Sequence, residues 1–383
     1  MPEFDMSLVQ RGARNRRTPY YEAEQRHSPL GYTVYNHMYF PIRFDSFEAE
    51  FDALLNDVTV WDVSVERCLE ISGPDGLAFA QLLTPRDLSK CAVGQAKYVL
   101  ICDSDGGIIN DPVLTRMDEN TFWFALASSD ALLFARGLRN AHPSLDVTIR
   151  EADVAPMQIQ GPKSKDLMQA LVGDEVLEIK YYYWKRFDID TIPVVITRTG
   201  WTSEVGYEIY LEDMSKGTQL WEKVMQAGEP FNVRPTGPSD IRRIEGGIFN
   251  WGADMTYENN AYEMGLGRLV DDLADDACIS IAALRKIEAN GVERKINGVE
   301  FDGEPFPALN YVKWPALDGD VQVGKVTSAI YSPRLQKNIG YCWLPASTSN
   351  IGSTVEVETE WGRRTATVVE MPFVDPDKRI PVS

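Results

Sequence analysis

Phe47, Phe51, Leu54 and Leu55 recur at the spacing of one helical face, so residues 45–60 open as an amphipathic helix. "VTVWDVS" and "CLEISG" then turn to β patterning and predict strands, and "GLAFAQLLT" returns to helix. Further on, "AKYVLICDSDGGIINDPVLTRMDENTFWFALA" divides at the turn signals "DSDGG" and "MDEN" into three apolar runs. These predict an antiparallel meander, with Asp111 where its second strand begins. A helix over 128–140, a strand over 154–160, a helix opening in "GPKSKDLMQAL", strands near 181–198 and 206–211, and a helix over 216–227 follow. "GPSDIRRIEGGI" offers Ser239 or Asp240 as an N-cap, which puts Arg242, Arg243 and Glu245 in the first two turns of a helix. From about 292 the chain is strand after strand, in "KINGVEF", "VGKVTSAIYS", "NIGYCWLP" and "TVEVETEWGRRTATVVE". The fold class is α+β with a small β-domain at the C-terminal end.

Composition narrows the function. At 383 residues the chain exceeds one ordinary core and suits two or three domains. Its 57 acidic against 38 basic residues give a formal charge of −19, which argues against a nucleic-acid or anionic-membrane partner. The five cysteines form no C-x-x-C pair and the three histidines are too scattered for a zinc motif, so no metal is expected and a reducing cytoplasm is. No run reaches the ~20 apolar residues of a membrane span. The start "MPEFDMSLVQRGARNRRTPYY" lacks the apolar core of a secretory signal, and its arginine-rich run 11–17 reads as an extended surface arm.

Several stretches carry candidate chemistry. "GWTSEVGYEIY" (200–210) ends as a strand yet contains Glu208, and a buried carboxylate costs several kcal/mol unless it finds donors. Either Glu208 faces water or it holds a ligand, with Trp201, Tyr207 and Tyr210 beside it as walls or as ordinary core. In "GGIINDPV", Asp111 follows a glycine turn and precedes Pro112, which favours extended backbone. Alone, it is equally a turn carboxylate. "YYYWKRF" (181–187) and "YTVYNHMYFP" (32–41) add Trp184, Tyr35 and His37 in aromatic runs of the kind that cage soft cations or simply fill a core. "GGIFNWG" and "GLG" follow no βαβ strand, so a dinucleotide site is disfavoured, and no P-loop or G-x-S-x-G occurs.

Taken in order, "GGIINDPVLTR", "IQGPKS", "RTGWTSEVGYEIY", "DIRRIEGG", "NWGADMTYENNAYEMGLG" and the β-rich tail resemble the aminomethyltransferase (glycine-cleavage T-protein) superfamily along nearly the whole chain. "YTVYNHM", "VWDVSVER", "RDLSK", "NDPV" and "YSP" are most similar to its tetrahydrofolate-dependent dimethylsulfoniopropionate demethylases. The resemblance implies a three-domain cloverleaf around a central folate channel, with residues 1–290 forming two interleaved α+β domains and 291–383 a β-barrel or jelly roll. It implies tetrahydrofolate as cofactor, Asp111 as the catalytic residue near the folate nitrogens, and Tyr98, Glu208, Tyr210 and Arg243 in folate binding. Trp201, Tyr35, His37, Trp184 and Trp251 are expected around a small-molecule methyl donor. The chain departs from the pattern at Ser203, Glu204 and Val205, which replace a basic and amide-bearing loop, and at Trp251 and Ser239.

The expected activity is methyl transfer from a sulfonium donor to N5 of tetrahydrofolate. O-demethylation of a methoxyaromatic acid, with His37, Tyr35 or Tyr39 as proton donor, is the alternative. Glycine-cleavage aminomethyl transfer and non-catalytic folate binding are further ones. A homodimer is the assembly considered.

Overall fold

The structure is a computed structural model that describes residues 12–383. Residues 1–11, Arg11 of the arginine-rich run among them, lie outside the described residues. The rest of the arginine-rich run lies on the surface, where Arg16 exchanges backbone hydrogen bonds with His37 and Tyr39 and reaches Glu151 at 2.8 Å.

Two antiparallel sheets share the first 240 residues and alternate along the chain. The first runs in the order Trp184–Ile189, Ile192–Thr197, Gly206–Leu211, Ala155–Gln160, Thr59–Asp62 and Arg234–Pro235, the last pair parallel. Helices Ser164–Val172 and Gly217–Gly228 cover its apolar face through Leu167, Met168, Leu220 and Trp221. Met157, Ile159, Ile196 and Ile209 meet them from the sheet, as period-two alternation requires. The second sheet runs Thr148–Glu151, Cys68–Ser72, Phe122–Ala125, Val113–Arg116 and Ala96–Tyr98, with helices Gly76–Leu83 and Ala131–Ala141 packed on it. The chain crosses from the first sheet to the second at residues 63–67 and back at 152–154.

The third unit is a closed six-stranded barrel from Arg294 to Val369, filled by Val299, Phe301, Trp314, Val326 and Val357. The short helix Asp240–Glu245, capped by Ser239, plugs into the barrel's flank through Ile241 and Ile244 against Ile330, Ile339 and Tyr341.

The predicted three-strand meander is more broken than its sequence suggests. Its first two runs form one long hairpin split into Ala96–Tyr98 with Val113–Arg116 and Ile101–Cys102 with Ile108–Asn110. The split falls at Asp111–Pro112, where proline has no N–H for the ladder. Asp111 therefore lies at an interruption inside the second run, not at the start of a strand.

Candidate active site

A cavity of about 1250 Å³ opens where both sheets, helix Asp240–Glu245 and the barrel meet. Glu208 lines it and is nevertheless 95% shielded, with a relative exposure of 5%. Its carboxylate accepts hydrogen bonds from Gln158 Nε2 at 2.8 Å, Thr199 Oγ1 at 2.5 Å, and Thr197 Oγ1 and Tyr210 OH, each at 3.4 Å. Burial pushes its pKa up and those four donors pull it back. Only Gln158 engages Oε1, which leaves that oxygen able to accept a ligand N–H.

The loop before this strand is built around Gln160. Gln160 bonds the Thr199 and Tyr207 carbonyls and accepts from Thr202 Oγ1 at 2.7 Å. A Cβ on Gly200 or Gly206 would fall 2.2 or 2.3 Å from the Gln160 amide and would displace that clamp. The clamp fixes Trp201, which lines the cavity 5.8 Å from Trp61 and under the Arg243 guanidinium, also 5.8 Å away. Glu204, the unusual acid of this loop, turns away from the cavity and pairs with buried Arg242 at 2.6 Å.

Asp111 faces the cavity from the hairpin interruption, and Tyr98 OH donates to its Oδ2 at 3.0 Å. Burial raises its carboxyl to about 7, against the lowering effect of Tyr98. The group thus titrates at neutral pH, where a proton acceptor is most useful. Tyr35, Trp251, Tyr181 and Tyr182 complete the aromatic wall. Arg86, Lys97, Arg268 and Lys378 supply positive charge to the lining. Lys378 donates to Ser203 Oγ at 3.3 Å, and burial with Arg242 and Arg268 nearby brings its pKa down to about 8.

The structure brings Asp111, Tyr98, Glu208, Trp201, Tyr35 and Trp251 to one cavity but leaves four other expected residues off its lining. His37 is exposed in the two-residue turn of the Gly31–Tyr35/Met38–Arg43 hairpin, where it and Asn36 both take positive φ. Trp184 points into the seam between the sheets, packed with Cys68, Trp123 and Tyr210, and its Nε1 donates to the Arg116 carbonyl. Tyr210 lies in that seam too and touches the site only through Glu208. Arg243 has all three nitrogens bonded to protein, at Asp240, Asp254 and Ser328, so it buttresses Trp201 from behind. Sequence reasoning passed over Glu66 and Lys378, both on the lining. "VWDVSVER" patterns only as a strand and a family signature, and Lys378 sits in a segment with no apolar period.

The GCVT N-terminal domain family matches residues 12–272, and the glycine cleavage T-protein C-terminal barrel domain matches 294–375. The chain belongs to the glycine-cleavage T-protein family. Within it, the chain is 39% identical to the dimethylsulfoniopropionate demethylase DmdA of Ruegeria pomeroyi, over 95% of this chain and 99% of that protein. It is 31% identical to an aminomethyltransferase of Bacillus cereus, over 87% of this chain and 91% of that protein. A crystal structure of glycine cleavage system aminomethyltransferase T from Bartonella henselae shares the T-protein fold, with a TM-score of 0.83 at 20% identity, covering 94% of this chain and 98% of that one. The α+β reading with its C-terminal barrel is thereby borne out, and the closed sheet makes it a barrel and not a jelly roll. As a T-protein family member the chain is a tetrahydrofolate-dependent methyltransferase.

Proposed function

We propose that this enzyme demethylates a small sulfonium donor of the dimethylsulfoniopropionate type, in the cytoplasm, with tetrahydrofolate as acceptor. The observation that carries the reading is that the cavity, although Arg86, Lys97, Arg268 and Lys378 also line it, holds acids free of ion pairs. Glu66, Asp111 and Glu208 line it and none of them pairs with a basic side chain within 4 Å among the described residues. An onium methyl donor fits that field, and Trp201, Tyr35, Tyr181 and Tyr182 offer it ring faces. The 39% identity to a protein named for dimethylsulfoniopropionate demethylation supports the same choice. O-demethylation loses two of its three named proton donors: His37 is exposed at a hairpin turn, and Tyr39 OH bonds Gly12, leaving Tyr35 on the lining. Five buried, unbridged cysteines fit a reducing compartment, and no helix among the described residues is long and apolar enough to cross a membrane.

The lining fits a reduced pterin. Glu208 Oε1 has a free lone pair inside a strand walled by aromatics, which suits a ring N–H donor. Tetrahydrofolate, when bound, supplies the N5 nitrogen that accepts the methyl group. Transfer breaks the donor's S–CH3 bond with the electron pair remaining on sulfur, so no acid is needed at the leaving atom. Asp111, oriented by Tyr98, is the carboxylate we assign to take the proton that N5 would release on methylation. Trp201, Tyr35 and Trp251 exclude water and align donor with acceptor.

The deciding experiment is product analysis with purified enzyme, tetrahydrofolate and a panel of dimethylsulfoniopropionate, glycine betaine and methoxybenzoates under anaerobic conditions. The expected product is 5-methyltetrahydrofolate with the sulfonium donor. Turnover of a methoxybenzoate alone would replace this reading with O-demethylation. The substitution Glu208→Gln keeps the shape and removes the charge. It is expected to raise KM for tetrahydrofolate about 10–100-fold, the loss of ~1.5–3 kcal/mol from a charged hydrogen bond. Steady-state kinetics with varied folate reads it, and an unchanged KM would remove Glu208 from the folate site.

A further inference from the structure

We propose that Glu66 is the residue by which this enzyme selects a cationic methyl donor; the inference rests on the demethylase reading above and names the charge that recognises its substrate. Besides Asp240, which pairs with Arg243, and the exposed Glu370, three carboxylates line the cavity, and their partners differ. Glu208 is held by four protein donors and Asp111 by Tyr98, whereas the Glu66 carboxylate has no hydrogen-bond or ion-pair partner among the described residues. A carboxylate left without a donor in a partly buried wall is costly unless a ligand completes it.

The backbone that carries Glu66 is held fast on both sides. It belongs to the crossing from the first sheet to the second. There Ser64 N donates to Asp62 Oδ1 at 2.9 Å, Glu66 N to the Val63 carbonyl at 2.8 Å, and Arg67 N to the Val65 carbonyl at 3.0 Å. Asn36 Nδ2 donates to the Val65 carbonyl at 2.9 Å, and the Arg67 side chain pairs with Glu151 at 2.6 Å. The neighbouring charge is thus tied off while the Glu66 carboxylate stays free, a preorganised acceptor with little left to order on binding.

Burial raises the Glu66 carboxyl, and Glu208 and Asp111 lie close enough to raise it further. Crowding three acids around one space is unfavourable in the empty cavity, and a cation among them relieves all three interactions at once. A neutral methoxy donor gains nothing from this cluster. Tyr35, whose own pKa is raised by burial and then by Glu66 and Asp111, stands next to them and offers a ring face to the same cation.

The test compares a cation with its neutral isostere on the full-length enzyme. The variants are Glu66→Gln and Glu66→Asp, and the ligands are dimethylsulfoniopropionate and 4-methylpentanoate, in which an uncharged CH replaces the sulfonium sulfur. Glu66→Gln is expected to raise KM for the sulfonium about 10–100-fold, the range for losing a desolvated charge contact. It should leave the inhibition constant of 4-methylpentanoate and KM for tetrahydrofolate within about twofold, and Glu66→Asp should recover part of the loss. Equal losses for cation and isostere, or a loss confined to tetrahydrofolate, would overturn the proposal. Should the wild type turn over no sulfonium, the demethylase reading fails by itself. Calorimetric binding of the same two ligands to wild type and Glu66→Gln then still decides whether Glu66 selects positive charge.

Discussion

Asp111→Asn is expected to lower kcat about 10²–10⁴-fold, the range for removing a positioned proton acceptor. Asparagine preserves the size of the side chain and can still accept from Tyr98, so the fold and both KM values should change little. The pH profile discriminates this role from a structural one. The carboxyl sits at about 7, and only its ionised form takes a proton, so wild-type kcat should rise with pH through about 7 and level off above it. The variant's residual rate should lack that limb. Stability runs the other way. A carboxyl raised in the folded state favours the fold fully below its ordinary unfolded range near 4, and that contribution is lost as pH climbs toward 7. Wild type should therefore be most active where Asp111 is least favourable to folding. A flat wild-type kcat between pH 6 and 8 would remove Asp111 from the proton path.

The second large effect is on stability. Arg243 and Asp254 are both buried, 2.9 Å apart, and Asp254 also accepts from Thr327, Ser328 and Asn250 N. This network fastens helix Asp240–Glu245 to the barrel strand Val321–Ser332. Arg243→Met leaves Asp254 charged and buried without its cation and is expected to cost about 3–5 kcal/mol. The double variant Arg243→Met with Asp254→Leu should regain part of this, since neither charge is then stranded. Urea titration followed by tryptophan fluorescence reads the comparison. A single variant within about 1 kcal/mol of wild type would mean that the pair does not hold the barrel on. Because the Arg243 guanidinium lies over Trp201, loss of activity in the variant should follow loss of folded protein and a displaced Trp201.

The chain's apolar periods made most elements legible. Helix Phe47–Asn56 starts at Phe47 behind a Ser46 cap, and the barrel strands read directly from alternation. The interruption at Asp111 was not readable, because the apolar pattern runs through it and only the pairing of Ile101 with Asn110 and of Tyr98 with Val113 exposes the slip. Site residues divide the same way. Glu208 and Asp111 stand out locally, one as an acid inside an apolar strand and the other between a glycine turn and a proline. His37 had a local explanation that was missed, since "YNHM" between alternating aromatics is a two-residue hairpin turn. Trp184 belongs to an aromatic run whose members face different ways: Tyr181 and Tyr182 meet the cavity and Trp184 the seam. Glu66 and Lys378 reach the cavity only because distant segments converge, which no local pattern records.

The alternation of the two sheets along the chain also governs how the molecule can be made. Thr59–Asp62 completes its sheet only when Arg234–Pro235 arrives beside it, about 175 residues later, and Cys68–Ser72 waits for Thr148–Glu151. Contacts of such long separation close slowly, because loop entropy must be overcome before the pairing rewards it. During synthesis the second sheet can reach its final strand order once Glu151 is out, with only Thr59–Asp62 of the first sheet made, whereas the first must wait for Arg234–Pro235. The cavity closes later still, when Lys378 and its neighbours fold back from beyond the barrel. Binding competence is thus the last property the nascent chain acquires.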